Sequence, residues 1–274
     1  LPYIISSIIS RSMELPAEAV AGLCTASKAS IMRLVSHNWD PPDLSAFPKS
    51  KLAAVLVLLY EEVGELRVLL TTRSKALRTH AGQTALPGGR ADESDADLVQ
   101  TAYREAYEEV GLPLDSPEIH TLATLQPFIS LHRLVVTPVI ALLTDASIIS
   151  TLKAAEDEVS HIFSHPLEAI LDPIIARKEP LVSPGTEDWI YDTEFHSTTD
   201  SVVAILGNAM YRMHRFRSTG SPIKGLTADI LIHIAEIAFG RSTDYDRWAV
   251  GQPRGFAAYC QLLGLPQAAV AIES

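Results

Sequence analysis

Residues 86–112 read LPGGRADESDADLVQTAYREAYEEVGL, and the fold is decided in this stretch. No Gly or Pro interrupts residues 96–110, so they read as a helix, and Gly111 is suited to end it. The acidic run 92–97 fits a helix N-terminus, where carboxylates meet the positive end of the macrodipole. On such a helix Glu105, Glu108 and Glu109 stand as i, i+3 and i+4 and share one face. Like charges placed this way repel by about 0.2–0.5 kcal/mol per pair, so an unpartnered helix gains nothing from them. A helix that holds hard divalent cations does gain, because Mg²⁺ takes oxygen ligands. The bland alternative is a solvated acidic face paired with arginines such as Arg104 and Arg73.

Upstream, residues 53–60 (AAVLVLLY) form an apolar run of buried-strand length. Residues 61–65 (EEVGE) contain a glycine and predict a hairpin turn, and 66–72 (LRVLLTT) predict the returning strand. Residues 73–90 read as a loop. Beyond the acidic helix, 122–128 and 134–143 predict strands, and 166–175 a helix kinked at Pro173. Residues 227–240 (TADILIHIAEIAFG) predict an amphipathic helix capped by Thr227 or Asp229 and ended by Gly240. Residues 1–50 read as a helical preface followed by the proline-bearing loop 38–50. No repeat, low-complexity segment or linker divides the 274 residues. The expectation is one domain over 1–274, with its core at about 50–240 and helical extensions at both ends.

Hydrophobic residues make up 47% of the chain, which supports a packed core. No apolar run is long enough to span a bilayer. The formal charge of −11 argues against a nucleic-acid partner, though a bound cation can invert the field inside one anion site. Cys24 and Cys260 lack zinc-ligand spacing and read as buried, reduced thiols of an intracellular protein. The apolar residues 1–10 lack a basic leader, and the C-terminal Ile272, Glu273 and Ser274 are not the peroxisomal Ser-Lys-Leu tripeptide. Peroxisome, mitochondrion and cytosol all remain open, as does the oligomeric state.

The quoted stretch resembles the Nudix box, G-x5-E-x7-R-E-U-x-E-E-x-G-U, with U a bulky aliphatic. Arg104, Glu105, Glu108, Glu109 and Gly111 meet the fixed positions of its second half. The first half departs: the span from Gly89 to Arg104 is one residue longer, and Asp95 stands where the first Glu would fall. Asp95 or Glu93 is left to take that residue's ion-pairing role. A coenzyme A diphosphatase subfamily has the same extra residue, and it carries L-L-T-x-R-S-x-x-L-R-x-H-x-G-Q-x-x-x-P-G-G upstream. Residues 69–89 read LLTTRSKALRTHAGQTALPGG and satisfy every fixed position. Glu158–Val159, Pro166–Leu167 and residues 225–228 (GLTA) are similar to that subfamily as well.

The resemblance implies an α/β fold, an α/β/α sandwich around a mixed sheet. It implies a small-molecule substrate and the hydrolysis of coenzyme A or its derivatives to 3′,5′-ADP and 4′-phosphopantetheine with Mg²⁺ or Mn²⁺. Glu105, Glu108, Glu109 and the carbonyl of Gly88 or Gly89 would bind metal, and Arg104 would orient the glutamates. Either Glu105 or Glu158 would be the general base. The segment 73–80 concentrates Arg73, Lys75, Arg78 and His80 in an acidic protein, and would dock the 3′-phosphate. Alternatively Arg73 and Arg78 brace the loop against box carboxylates, while His80 and Gln83 close loop hydrogen bonds. Residues 211–217 (YRMHRFR) read as helix–loop surface or, less simply, as a substrate wall. Two other functions stay open: a Nudix enzyme for other nucleoside diphosphate derivatives (oxidised nucleotides, ADP-ribose, capped RNA), and a Nudix-fold binding protein without catalysis.

Overall fold

The computed structural model describes residues 15–38 and 42–266. The readings made for residues 1–10, Trp39, Pro41 and the C-terminal tripeptide lie outside the described residues.

The apolar run becomes strand β1 (Leu52–Glu62), which turns at Val63–Gly64 into β2 (Glu65–Arg73). Val63 and Gly64 both take left-handed backbone, with φ of 51° and 76°, as a two-residue hairpin turn requires. Past the pairing of Leu59 with Val68 the hairpin splays. Strands β3 (Thr84–Ala85) and β4 (Gly88–Arg90) fill the wedge: β3 pairs with β2, and β4 pairs with β1 through Ala54 and Gly89. The expected loop at 73–90 thus contains two short strands, held in part by the Leu56 amide donating to the Pro87 carbonyl at 2.8 Å.

On the other side of β1 lies β7 (Val135–Leu143), parallel to it over nine residue pairs, Leu52↔Val135 to Tyr60↔Leu143. β5 (Ile119–Thr124) and β6 (Phe128–Ile129) pair antiparallel with β7, and β8 (Val159–Pro166) borders β2. The sheet is therefore mixed, as expected. The strand expected over 122–128 breaks between β5 and β6, where Leu125 to Pro127 leave the ladder. The helix expected over 166–175 is absent. β8 runs to Pro166, and two 3-10 turns follow, Leu167–Ile170 and Pro173–Lys178, the second capped by Asp172. Two prolines and a capping aspartate divide the segment into single turns.

Period-two alternation splits β1 between two cores. Ala54, Leu56 and Leu58 join Leu69, Val139, Ala141 and the helix α2 (Leu98–Val110) on one face. Val57 and Leu59 join Val68, Leu70, Ile140 and the helices α1 (Thr25–Ser36) and α3 (Gly225–Phe239) on the other. Helices on both faces give the expected sandwich. Ala102 and Ala106, fully buried, let α2 lie close on the sheet.

Asp97 caps α2 by accepting from the Gln100 amide at 2.8 Å, a contact worth about 1 kcal/mol. Gly111 ends the helix in left-handed backbone, as expected. By contrast, neither Thr227 nor Asp229 caps α3, which begins after Lys224 with no side-chain cap. A second sheet of β9 (His196–Val203), β10 (Ala209–Phe216) and β11 (Ile223–Lys224) leads into α3, and α4 (Gly255–Leu263) closes the described chain. Residues 211–216 are therefore strand rather than helix–loop surface, and Tyr211, His214 and Phe216 are buried. Both cysteines are free, but only Cys260 is buried. Cys24 sits half-exposed at the start of α1, where its sulfur accepts from the Ser27 amide.

Candidate active site

The glutamate face of α2 lies against the wedge made by β4. Gly88 and Gly89 are dictated by close approach. A Cβ on Gly88 would stand 2.3 Å from the Ala54 carbonyl oxygen, and one on Gly89 would stand 2.5 Å from the Glu105 carboxyl. Only bare backbone lets the carboxylate settle there.

Arg104 organises the face. Its Nε and Nη2 donate to the two oxygens of Asp95 at 2.9 and 3.0 Å, and Nη1 donates to Glu105 and Glu108 at 2.9 Å each. Nη2 also donates to the Arg90 carbonyl at 3.0 Å, which ties the glycine strand to the helix. Asp95 is buried and further accepts from Thr101 Oγ1 and the Asp92 amide. The Arg104 guanidinium, against the opposing effect of burial, holds the Asp95 carboxyl far below the usual carboxylate range. Asp95, not Glu93, is the ion-pairing residue; Glu93 offers only its carbonyl, to Lys49 Nζ at 3.0 Å.

Glu109 is 2% exposed and has two long polar contacts, Arg73 Nη1 at 3.3 Å and the Gly88 amide at 3.2 Å. Burial, reinforced by the charges of Glu105 and Glu158, pushes its carboxyl up to about 7, although Arg73 and the Gly88 amide pull the other way. Burial also raises Glu105, opposed by Arg104 and aided by Glu108 and Glu158. Glu158 reaches this cluster because the segment before it is fastened to the end of α2. The Lys153 and Ala155 amides donate to the carbonyls of Val110 and Glu109, both at 3.0 Å. The Glu158 carbonyl in turn accepts from the Ser74 amide at 2.7 Å, which joins it to the cationic loop.

The carboxylates of Glu105, Glu108, Glu109 and Glu158 outnumber the two arginines beside them, Arg104 and Arg73, and offer the hard oxygens that a divalent cation takes. Among the described residues no group of three or more His, Cys, Asp or Glu side chains is closed around one point for an ion. The Arg104 guanidinium holds Glu105 and Glu108 on its own side of the helix.

The structure separates the four cationic-loop residues. Arg73 faces Glu109, the bracing arrangement. Lys75 pairs with Glu187 at 2.5 Å on the surface, and Arg78 is exposed. His80 Nδ1 meets Gln83 Oε1 at 3.1 Å, and its Nε2 lies 2.9 Å from Nε2 of His132. The loop is thereby tied to the turn after β6.

That turn borders a cavity of about 470 Å³ which the sequence reading missed. α3 contributes Leu226, Asp229 and His233, β10 contributes Tyr211 and Met213, and the C-terminal region adds Trp248, Phe256 and Tyr259. The available signals were Asp229 and His233, i and i+4 on a largely apolar helix where a cap was expected instead, and the stretch 211–217, whose reading as a substrate wall included Tyr211 and Met213 of this lining.

The splayed hairpin, the glycine strand and the arginine-ordered glutamate helix together define a Nudix fold, and the comparisons agree. The NUDIX domain family model matches residues 50–183. Nudix hydrolase NudL of Shigella flexneri serotype 5b (strain 8401) is 36% identical over 140 residues, covering 51% of this chain and 69% of that protein. The chain belongs to the Nudix hydrolase family. Nudix hydrolase 15, mitochondrial, of Arabidopsis thaliana is 38% identical over 194 residues, 70% of this chain; the chain spans 60% of that relative's length. Among solved structures, the NUDIX domain of Shewanella oneidensis NrtR complexed with ADP ribose aligns with a TM-score of 0.34 at 27% identity, over 47% of this chain and 81% of that one.

Proposed function

We propose that this chain is a metal-dependent diphosphatase that hydrolyses coenzyme A or its derivatives to 3′,5′-ADP and 4′-phosphopantetheine. The carrying observation is that Glu105 and Glu109 stand against the glycine strand within reach of the Glu158 charge, with the cationic loop joined to them through Arg73 and Ser74. Glu105, Glu108, Glu109 and the Gly88 carbonyl would hold Mg²⁺ or Mn²⁺. When bound, such an ion neutralises the diphosphate and acidifies a water. Arg104 aims Glu105 and Glu108, while Arg73 faces Glu109. Glu158, exposed and fixed by its own backbone, is placed to take a proton from water, and Glu105 is the competing base. Arg78 and His80 are the loop residues placed to meet a 3′-phosphate.

The reading includes one domain over the whole chain, since α1 packs on α3 in the main core. It also includes an intracellular setting, consistent with two free thiols and with a plant relative named as mitochondrial. Coenzyme A turnover with and without Mg²⁺ tests it. Metal-dependent release of 3′,5′-ADP is expected. Turnover of ADP-ribose or oxidised nucleotides alone would move the substrate class, and no turnover of any diphosphate would leave a binding protein.

A further inference from the structure

We propose that the cavity between β6, β10, α3 and α4 binds the nucleobase of the substrate, so that the ring selected is set by residues largely outside the segment matched by the family model. Met213, Asp229, His233, Trp248, Phe256 and Tyr259 all lie beyond residue 183, where that match ends.

The lining has the chemistry of a planar heteroaromatic ring. Phe128 on β6, Trp248 before α4, and Phe256 and Tyr259 on α4 supply aromatic surface. Polar side chains line it too, among them Ser130, Asp229, His233, Arg247 and Gln252, and two of these are held in place. Tyr211, 7% exposed, donates its hydroxyl to Asp229 Oδ2 at 2.7 Å. Gln252 is 8% exposed, and its carbonyl oxygen accepts from the Arg212 and Ala249 amides at 2.9 and 3.1 Å, which turns its NH₂ end toward the Tyr259 side. A mostly apolar cavity of this size with a few oriented polar groups is typical of a small-molecule site. An alkyl chain would use only the apolar lining; the edge of a base carries donors and acceptors that can also join the Tyr211–Asp229 pair and Gln252.

Continuity with the cationic loop decides which end of the substrate enters. Ser130 and Leu131 form the cavity wall, and His132 follows them directly, 2.9 Å from His80. A phosphate on the ribose held at His80 and Arg78 places the attached base at the cavity mouth. The sheet register agrees on scale. Arg90 pairs with Ala53, Ala53 with Val136 and Val136 with Phe128, so Phe128 lies three strand spacings, roughly 14 Å, from the glycine strand. That span is of the order of one nucleotide.

The inference rests on the diphosphatase reading for the identity of the ligand, but its test needs no turnover. Calorimetry on the full chain with Mg²⁺ compares 3′,5′-ADP, ribose 3,5-bisphosphate and 4′-phosphopantetheine. 3′,5′-ADP should bind at least about fivefold more tightly than the baseless bisphosphate, the lower end of what base–aromatic stacking supplies. Leu131 is 42% exposed at the rim, so Leu131→Trp should fold and fill the mouth. It should abolish the preference and leave the bisphosphate affinity unchanged, and Tyr259→Leu should weaken the preference in the same sense. Equal binding of 3′,5′-ADP and the bisphosphate by the wild type overturns the proposal. So does a Leu131→Trp variant that loses 4′-phosphopantetheine but keeps 3′,5′-ADP. If coenzyme A is not hydrolysed while the base-dependent preference persists, the substrate reading falls and the base site stands.

Discussion

Replacing Glu109 with Gln should make the metal-free protein more stable at pH 8 while removing its capacity to respond to metal. Glu109 is 2% exposed, and its carboxyl is raised from 4.5 to about 7 chiefly by burial. A carboxyl whose folded pKa exceeds its unfolded value binds more protons in the folded state throughout the interval between them. Stability therefore falls as pH rises from about 4.5 to about 7, and above that window the ionised side chain is a net burden. At 1.36 kcal/mol per unit the burden is about 3 kcal/mol. It already includes the attraction of Arg73, since that attraction enters the shift. Gln mimics the protonated acid and can still accept from the Gly88 amide. Thermal unfolding in EDTA at pH 5 and pH 8 is the assay. The variant should match wild type at pH 5 and melt several degrees higher at pH 8, at roughly 2–4 °C per kcal/mol for a chain of this size class. Added Mg²⁺ should raise the wild-type midpoint by mass action and the variant's much less. A variant that melts below wild type at pH 8 without metal would refute the reasoning, because Glu109 would then be stabilising as an anion.

Asp95→Asn should lose about 1.5–3 kcal/mol, since a charge-assisted pair with Arg104 is replaced by a neutral contact; an unchanged urea midpoint at pH 7 would show that the pair is idle. Its contribution in the wild type should disappear as pH falls below the ordinary Asp range, because the folded pKa is depressed. Gly89→Ala should cut turnover by two orders of magnitude or more with little change in far-UV circular dichroism, because its Cβ displaces the Glu105 carboxylate. Arg78→Ala should erase an expected ten- to hundredfold preference for coenzyme A over dephospho-coenzyme A in kcat/KM, whereas Arg73→Ala should slow both substrates together. If Arg73→Ala alone removes the preference, Arg73 is the docking residue rather than the brace.

The glutamate helix was legible because its signals are local. Asp97, the glutamate spacing and Gly111 all act within a turn or two of their own positions. β1 and β2 were legible because apolar runs of that length, broken by Val63–Gly64, have few other solutions. β3 and β4 were not, because their pairing depends on the hairpin splaying, a tertiary event with no mark in residues 84–90. The segment after Pro166 misled for a related reason: its apolar residues fit helical spacing, but Asp172 and Pro173 restart the backbone after one turn. Within the site, the glutamates and Arg104 follow from the helix. The choice of Asp95 over Glu93 needed the fold, since it depends on which carboxylate Thr101 and the Asp92 amide hold in place. The cavity was illegible in detail because it gathers short stretches that lie far apart in the chain, from His37 through residues 126–131 and 225–233 to Tyr259.

The cationic loop has a closed neck. The Arg73 amide donates to the Gln83 carbonyl at 2.9 Å, and the Gly82 amide donates back to the Arg73 carbonyl at 3.1 Å. Everything between is looped out from a fixed junction, while β3 and β4 continue the ladder beyond it. Residues 74–81 therefore form a cassette on this neck, held beyond it by the ties of Ser74 to Glu158, Lys75 to Glu187 and His80 to His132. Doubling such a loop costs only about 0.6 kcal/mol in closure entropy, and the neck shields the glycine strand from the change. Loops of other lengths and charges grafted between Arg73 and Gly82 would alter which phosphates are welcomed while the glutamate helix keeps its register. On this scaffold, the charge carried by the loop is separable from the register of the glutamates.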